Sequence, residues 1–332
     1  MHAVVIKGPS EVAVEQRADP SPGSDEVLLE VSLTGICGTD IHILDGEFGT
    51  ATYPLVPGHE VTGRVVAVGG EVARPEVGDR VVVDPALPCK ACWFCRSGRA
   101  NLCERRHALG VTQPGGAAEL VAVPAGNCYV LDGKVDDAAG VLCEPLACVI
   151  HAFDLVPRGS VREVLIYGAG PVGLLAVHVA RQLGARSVDT VDINEGRLGN
   201  ATQAGARAVA TSGDQLDQGG GWDLVVDASG APPAIEDGLS RVRRGGTFLQ
   251  IGVAPEEARV PLSPYQLFSR EITLVGSMTT SHTFPRAIEL MESGVVDAEA
   301  IVGPRLPLDR YHEAVAAVRA GDHLKVLLKP GG

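Results

Sequence analysis

The stretch "REVLIYGAGPVGLLAVHVARQLGA" (162–185) joins a run typical of a buried strand directly to a helical one, through Gly168, Gly170 and Gly173. Apolar residues recur at 172, 175, 176, 179, 180 and 183, the spacing of one helix face, and Gly184 stands where a cap is needed. The alternation continues downstream. "RSVDTVDI" reads as strand, "NEGRLGNATQAGA" as helix, and "RAVA" and "WDLVVDASG" as strands. A helix near 232–243 leads to two further strands, "GGTFLQIGV" and "EITLVGS". Strand and helix in alternation predict an α/β fold with a parallel, doubly wound sheet.

Residues 1 to about 148 follow another pattern. "EVLLEVSLTGIC", "GHEVTGRVVAVG", "GDRVVVDP" and "AAELVAVP" are short β-rich runs broken by Gly, Pro and Asp. A chain of 332 residues exceeds what one compact domain usually holds, so two domains are expected. One spans 1–148 together with 283–332, and the other spans 149–282. The tail reads as two helices, "FPRAIELMESG" and "LDRYHEAVAAVRAG", and a last strand, "HLKVLLKP", that return to the first domain.

The formal charge is −13, and the longest basic runs, "ERRH" and "RVRRGG", are too short for the basic face that nucleic-acid binding needs. The start, "MHAVVIKGPSEVAVEQ", has no charged segment followed by a long apolar core, and no run of 18 apolar residues exists. Neither a signal peptide nor a membrane span is expected, and the cytoplasm is the expected compartment. There disulfides are disfavoured, so the eight cysteines lean toward metal ligands or buried thiols.

"GAGPVG" matches G-x-G-x-x-G in the setting its chemistry requires, between a strand and a helix. Gly168 permits a tight turn, Gly170 lets backbone approach a pyrophosphate, and Gly173 lets helix and strand pack closely. Asp192 follows Gly173 by 19 residues, at the end of the second strand. A carboxylate there accepts hydrogen bonds from ribose hydroxyls and repels a 2′-phosphate, which favours NAD over NADP. Arg197, a candidate phosphate partner, tempers that preference.

"CKACWFCRSGRANLC" places Cys89, Cys92, Cys95 and Cys103 within about 89–103. Such spacing can wrap one tetrahedral ion, and four thiolates leave no open position, which makes a structural zinc lobe. An iron–sulfur cluster is the rival, but its usual last spacing is shorter and is followed by Pro, where this chain has Glu104. A second group lies in "GICGTDIH", "GHE" and "LCEPL": Cys37, His59, and Glu60 or Glu144. A thiolate, an imidazole and a carboxylate leave room for water or substrate, as a catalytic metal requires.

Taken in order, "GICGTDIH", "PLVPGHEVTGRVVAVG", "VGDRVVVDP", the four-Cys lobe, "EPLACVIHA" and "YGAGPVG" resemble the zinc-containing medium-chain dehydrogenases over essentially the whole chain. The resemblance is to the sorbitol (polyol) and threonine dehydrogenase branch. It implies a GroES-like β-rich catalytic domain and a Rossmann domain, with the active site between them. It also implies two zinc ions per chain. Cys37 and His59 match catalytic zinc ligands, Glu60 a carboxylate that enters and leaves the zinc shell, and Glu144 a third ligand or a partner of the zinc-bound water. Thr39 and His42 match the family's proton relay. Val172, Asp192, Arg197, Ile251, Val253, Ser277 and Thr279 match NAD-contacting positions. Cys128, Cys143 and Cys148 read as buried thiols.

The expected reaction is hydride transfer between a secondary alcohol or its ketone and NAD(H). Where sorbitol dehydrogenases carry an Arg-Tyr pair, "GSMTTSHTF" places Thr279 and Thr280. No cation for a carboxylate is evident in that run, so a polyol, cyclitol or amino-polyol is expected before an amino acid. L-Threonine-type oxidation and a non-catalytic NAD(H)-binding sensor or scaffold stay open as alternatives. Family members pair as dimers or tetramers through the edge of the Rossmann sheet, which makes "EITLVGS" an expected edge strand.

Overall fold

The computed structural model describes every residue except Arg158, Ser160, Asp322 and Gly332. Contacts divide the chain into two units. Met1–Glu144, Phe284–Gly294 and Ala298–Gly332 form the first; Pro145–Thr283 and Val295–Asp297 form the second. The division falls inside one helix, Cys143–Asp154.

In the second unit the six strands lie in the spatial order Ala208–Ala210, Ser187–Val191, Glu163–Tyr167, Trp222–Asp227, Val242–Gln250, Thr273–Gly276, and every neighbouring pair is parallel. Numbered along the chain this is 3-2-1-4-5-6, the Rossmann order. Val164, Leu165 and Ile166 are fully buried, as continuous apolar runs in covered parallel strands should be. Helix Pro171–Gln182 buries a broader face than the six-position stripe predicts, including Leu174 and Val177. Leu183, expected on that stripe, is instead the half-exposed C-cap, and Gly184 follows with φ 87°. A left-handed residue just past the last turn suits glycine. Buried Asp189 is satisfied by Arg207 (2.5 and 2.9 Å) and Trp222 Nε1 (2.9 Å). Helix Pro264–Arg270, which periodicity did not flag, starts on Pro264, with Ser263 Oγ accepting the Gln266 N–H.

In the first unit the main sheet runs Val302–Pro307, Lys325–Lys329, Glu26–Gly35, Glu60–Val68, Arg80–Val83, Cys128–Val130, with Leu120–Pro124 also paired to Glu26–Gly35. The C-terminal strand therefore lies beside the first long strand of the chain. Gly35 is the pivot. It pairs with Leu327 on one side and Glu60 on the other. A Cβ there would stand 2.0 Å from Glu60 Oε2, so only glycine leaves room for that carboxylate. The hairpin His2–Gly8/Glu11–Gln16, the strand Val302–Pro307 and the helix Cys143–Asp154 were not anticipated from the sequence.

Candidate active site

The backbone leaves strand Glu26–Gly35 and turns at Cys37, which becomes the N-cap of helix Gly38–Asp45. Asp40, three residues on, completes the cap by accepting the Cys37 N–H on Oδ2 (2.8 Å). Its other oxygen accepts the Gly58 N–H (3.2 Å) and faces His59 Nδ1 at 3.6 Å. One buried carboxylate thus ties together two loops distant in sequence. Cys37 Sγ, a ring nitrogen of His59 and a carboxylate oxygen of Glu60 all lie within 4.8 Å of one another.

Burial alone opposes a charged His59, but Asp40 and Cys37 outweigh it and hold the imidazole well above its ordinary range. His59 Nδ1 is buried without a hydrogen-bond partner. A thiolate, an imidazole and a carboxylate around a buried, cation-seeking point fit zinc. Glu144, in the first turn of helix Cys143–Asp154, is buried but stands outside this set. Burial pushes the Cys143 and Cys128 thiols up to about 12, which suits inert thiols, but of the three expected buried cysteines only Cys143 is fully buried; Cys128 and Cys148 are half-buried. Thr39 Oγ1 lies 3.9 Å from Cys37 Sγ. His42 is on the next turn of the same helix, half exposed, with Nδ1 bonded to Glu47 Oε2 at 2.7 Å.

Two residues of this site were missed. Asp40 carried a legible signal, an acid three positions after a helix-starting residue. Lys325 carried none. It is 3% exposed, and its Nζ donates to Glu60 Oε1 (2.6 Å) and Oε2 (2.8 Å), across 265 residues of chain.

The four thiols of the lobe also converge, all within 4.8 Å of one another and none in a disulfide. Sulfur separations of 3.5, 3.9 and 4.0 Å match the edge of a tetrahedron with ~2.3 Å arms, which is ~3.8 Å. A cubane cluster puts each thiolate on a different iron and would hold them farther apart. Backbone N–H groups point at the sulfurs: Cys92 to Cys89 (3.3 Å), Cys89 to Cys103 (3.2 Å) and Arg105 to Cys103 (3.4 Å). The N–H groups of Ala91 and Cys92 draw Cys89 down to about 6, which favours the thiolate that binds metal. The pair Ala86–Leu87/His107–Ala108 closes the base of the lobe.

In the second unit the predicted cofactor residues gather at one edge of the sheet. Gly168, Asp192, Ile251 and Ser277 each follow the last residue of a parallel strand, on the side where such sheets bind ligands. Gly168 has φ 102°. A Cβ on Gly173 would lie 1.9 Å from Gly168 O, whereas one on Gly170 would meet nothing within 4 Å. The first glycine contact is tight packing and the second is open space at a helix N-terminus, a cradle for a pyrophosphate. Asp192 accepts the Ala169 N–H (2.6 Å) and the Asn194 N–H (2.8 Å), which pins the glycine turn to the second strand. Arg197 Nε is buried without a partner.

Asp227 was missed. Its buried carboxylate accepts from Ser229 N (3.1 Å), Gly230 N (2.9 Å) and Gln250 Nε2 (2.6 Å), and its backbone oxygen accepts from Ile251 and Gly252. It thereby fixes two of the loops at this edge. Val253 and Val172 are accessible, and Thr279 is half-buried with φ 49°, a strained setting for a β-branched residue. Thr280 is buried, so of the expected threonine pair only Thr279 is accessible.

Residues 23–133 match the family described as "Alcohol dehydrogenase GroES-like domain", and residues 171–293 the family described as "Zinc-binding dehydrogenase". The chain is 36% identical to D-arabinitol dehydrogenase 1 of Uromyces fabae over 342 residues, covering 99% of this chain and 97% of that one. It is 38% identical to D-altritol 5-dehydrogenase of Agrobacterium fabrum strain C58 over 315 residues, covering 93% of each. A zinc-binding dehydrogenase from Sinorhizobium meliloti 1021, solved with NADP, superposes with a TM-score of 0.95 at 33% identity, over 99% of both chains. No helix among the described residues is long and apolar enough to cross a membrane. On two matched domains and full-length relatives, the chain belongs to the zinc-dependent medium-chain dehydrogenase/reductase superfamily, in its sorbitol (polyol) and threonine dehydrogenase-like branch.

Proposed function

We propose that the chain oxidises a secondary alcohol of polyol, cyclitol or amino-polyol type with NAD. It would hold one zinc at Cys37, His59 and Glu60 and a second in the four-Cys lobe. The convergence of Cys37, His59 and Glu60 within 4.8 Å carries the reading. The arabinitol and altritol relatives support the substrate class. When bound, zinc supplies a Lewis acid that lowers the pKa of a coordinated hydroxyl toward ~7, and the nicotinamide supplies the hydride acceptor.

The protein's own groups do the rest. Asp40 fixes the Cys37 turn and the Gly58 loop that carries His59, and its carboxylate faces the imidazole at 3.6 Å. The Thr39 hydroxyl would accept the alcohol's proton as it passes its own along the relay toward His42. His42, one turn on and half exposed, releases it to water while Glu47 holds its Nδ1. Gly168 to Gly173 seat the pyrophosphate at the N-terminus of helix Pro171–Gln182. Asp192 has lone pairs left for ribose hydroxyls and would repel a 2′-phosphate. This favours NAD, although the Sinorhizobium relative was solved with NADP.

Strand Thr273–Gly276 ends the parallel sheet, beside a helix that exposes Tyr265 and Phe268, and this supports a homodimer formed through that edge. Eight free cysteines suit a reducing cytoplasm.

A panel of polyols, cyclitols and amino-alcohols assayed with NAD and NADP, alongside zinc quantification, tests the proposal. Turnover with NAD on a polyol and two zinc ions per chain are expected. Cys37→Ser should lower turnover by roughly 1,000-fold, because the metal contributes several kcal/mol at the transition state. NAD affinity should be unchanged. Full activity in that variant would remove Cys37 from the site. NAD binding without turnover on any alcohol would leave a sensor or scaffold.

A further inference from the structure

The buried ion pair beside the candidate metal site takes no part in the proton relay or in cofactor binding. Lys325 and Glu60 are 3% and 0% exposed. The ammonium donates to both carboxylate oxygens, at 2.6 and 2.8 Å, and reaches toward the Ile36 carbonyl at 3.5 Å. The geometry is built by three neighbouring strands, with Gly35 lacking the side chain that would displace Glu60. The same carboxylate offers an oxygen within 4.8 Å of the Cys37 sulfur and the His59 ring. One acid therefore faces both a fixed cation and the candidate metal position.

We propose that Lys325 is a positioning residue that competes with the metal for Glu60, keeping Glu60 an exchangeable ligand so that a coordination position stays available to the alcohol oxygen. Two physical effects act in the same direction. A carboxylate with an ammonium on both oxygens is a weaker donor, and it approaches the metal fully only by stretching those hydrogen bonds. With neutral His59, the charges of Cys37 and Glu60 cancel those of a divalent ion. Lys325 then adds positive charge to a site that also holds the buried Asp40 and Glu144 carboxylates, in a low-dielectric setting where it favours a developing alkoxide. Without Lys325, Glu60 would be a buried carboxylate with the metal as its nearest cation, and would close the shell.

The inference rests on the reading of Cys37, His59 and Glu60 as metal ligands, and the test separates the two. The protein is loaded with Co2+, whose visible absorption reports coordination, and metal release to the chelator 4-(2-pyridylazo)resorcinol is timed. Cys37→Ser identifies the contribution of the lobe. If unmodified protein and Cys37→Ser hold the same metal, the ligand reading fails whatever Lys325 does.

If the site holds metal, Lys325→Met should release it on the order of 10-fold more slowly. Its Co2+ spectrum should no longer respond to added polyol. The KM for the alcohol should rise by about the same factor, with the KM for NAD unchanged. Lys325→Arg, which keeps a cation in place, should behave as the unmodified protein. In a Glu60→Gln background, where no buried carboxylate is stranded, Lys325→Met should fold and leave metal release unaltered. Equal or faster release from Lys325→Met, a spectrum that still responds to polyol, or an effect that persists with Glu60→Gln would overturn the proposal.

Discussion

At Gly170 and Gly173, three positions apart in one turn, the same substitution should have opposite consequences. Alanine at 173 puts a methyl group 1.9 Å from Gly168 O, so the helix must shift off its strand. Overpacking of this kind costs about 1–3 kcal/mol. Alanine at 170 meets nothing within 4 Å and the residue has φ −75°, so the free protein should lose under about 1 kcal/mol. That methyl occupies the space a pyrophosphate needs. The expectation for Gly170→Ala is a melting temperature close to the parent's with a KM for NAD raised tenfold or more; for Gly173→Ala it is a clear drop in melting temperature. Thermal melts without cofactor, followed by NAD titration, check both. Gly170 and Gly173 were identifiable from spacing because backbone sterics act locally. Asp227 was not, since its carboxylate works by joining two loops that only the folded sheet brings side by side.

Among the elements, the four-Cys lobe depends most on something other than packing. Helix Trp93–Arg96 has four residues and buries none of them, far short of what a helix needs to persist alone. Trp93 stays 63% exposed under the Arg99 guanidinium, 4.7 Å from its ring centroid. What remains to hold the lobe is the thiolate cluster. Cys92→Ser should therefore remove one zinc per chain and open the lobe to trypsin at Arg96 and Arg99, while the metal at Cys37 and His59 persists. Metal analysis with limited proteolysis measures this, and an intact, protease-resistant lobe holding its zinc would contradict it. The spacing of the cysteines announced this element, because a closed ligand set within fifteen residues is a local property. Helix Pro264–Arg270 went unread because its apolar residues face outward: Tyr265 and Phe268 are exposed, so the pattern that marks a buried face was missing.

At the scale of the whole molecule, that outward-facing helix and the edge strand Thr273–Gly276 leave a row of unpaired backbone groups beside apolar side chains, a liability in a soluble sheet unless a second copy covers it. Phe268→Glu, at a position 81% exposed, should leave the monomer fold untouched and shift sedimentation from dimer toward monomer. An unchanged sedimentation coefficient would rule out an interface at this edge.

From the sequence by itself came the α/β class with its parallel, doubly wound sheet, the glycine turn and both groups of candidate metal ligands named by residue type. Periodicity, turn chemistry and ligand spacing are short-range properties, and each is written within a few tens of residues. Tertiary structure decided that Glu60 and not Glu144 stands with Cys37 and His59. It decided that Asp40 couples their loops and that Lys325, 265 residues from Glu60, supplies the counter-charge. Those choices follow from strand register across Gly35, and register between distant strands is settled by the packing of the whole sheet and leaves no mark on any one segment.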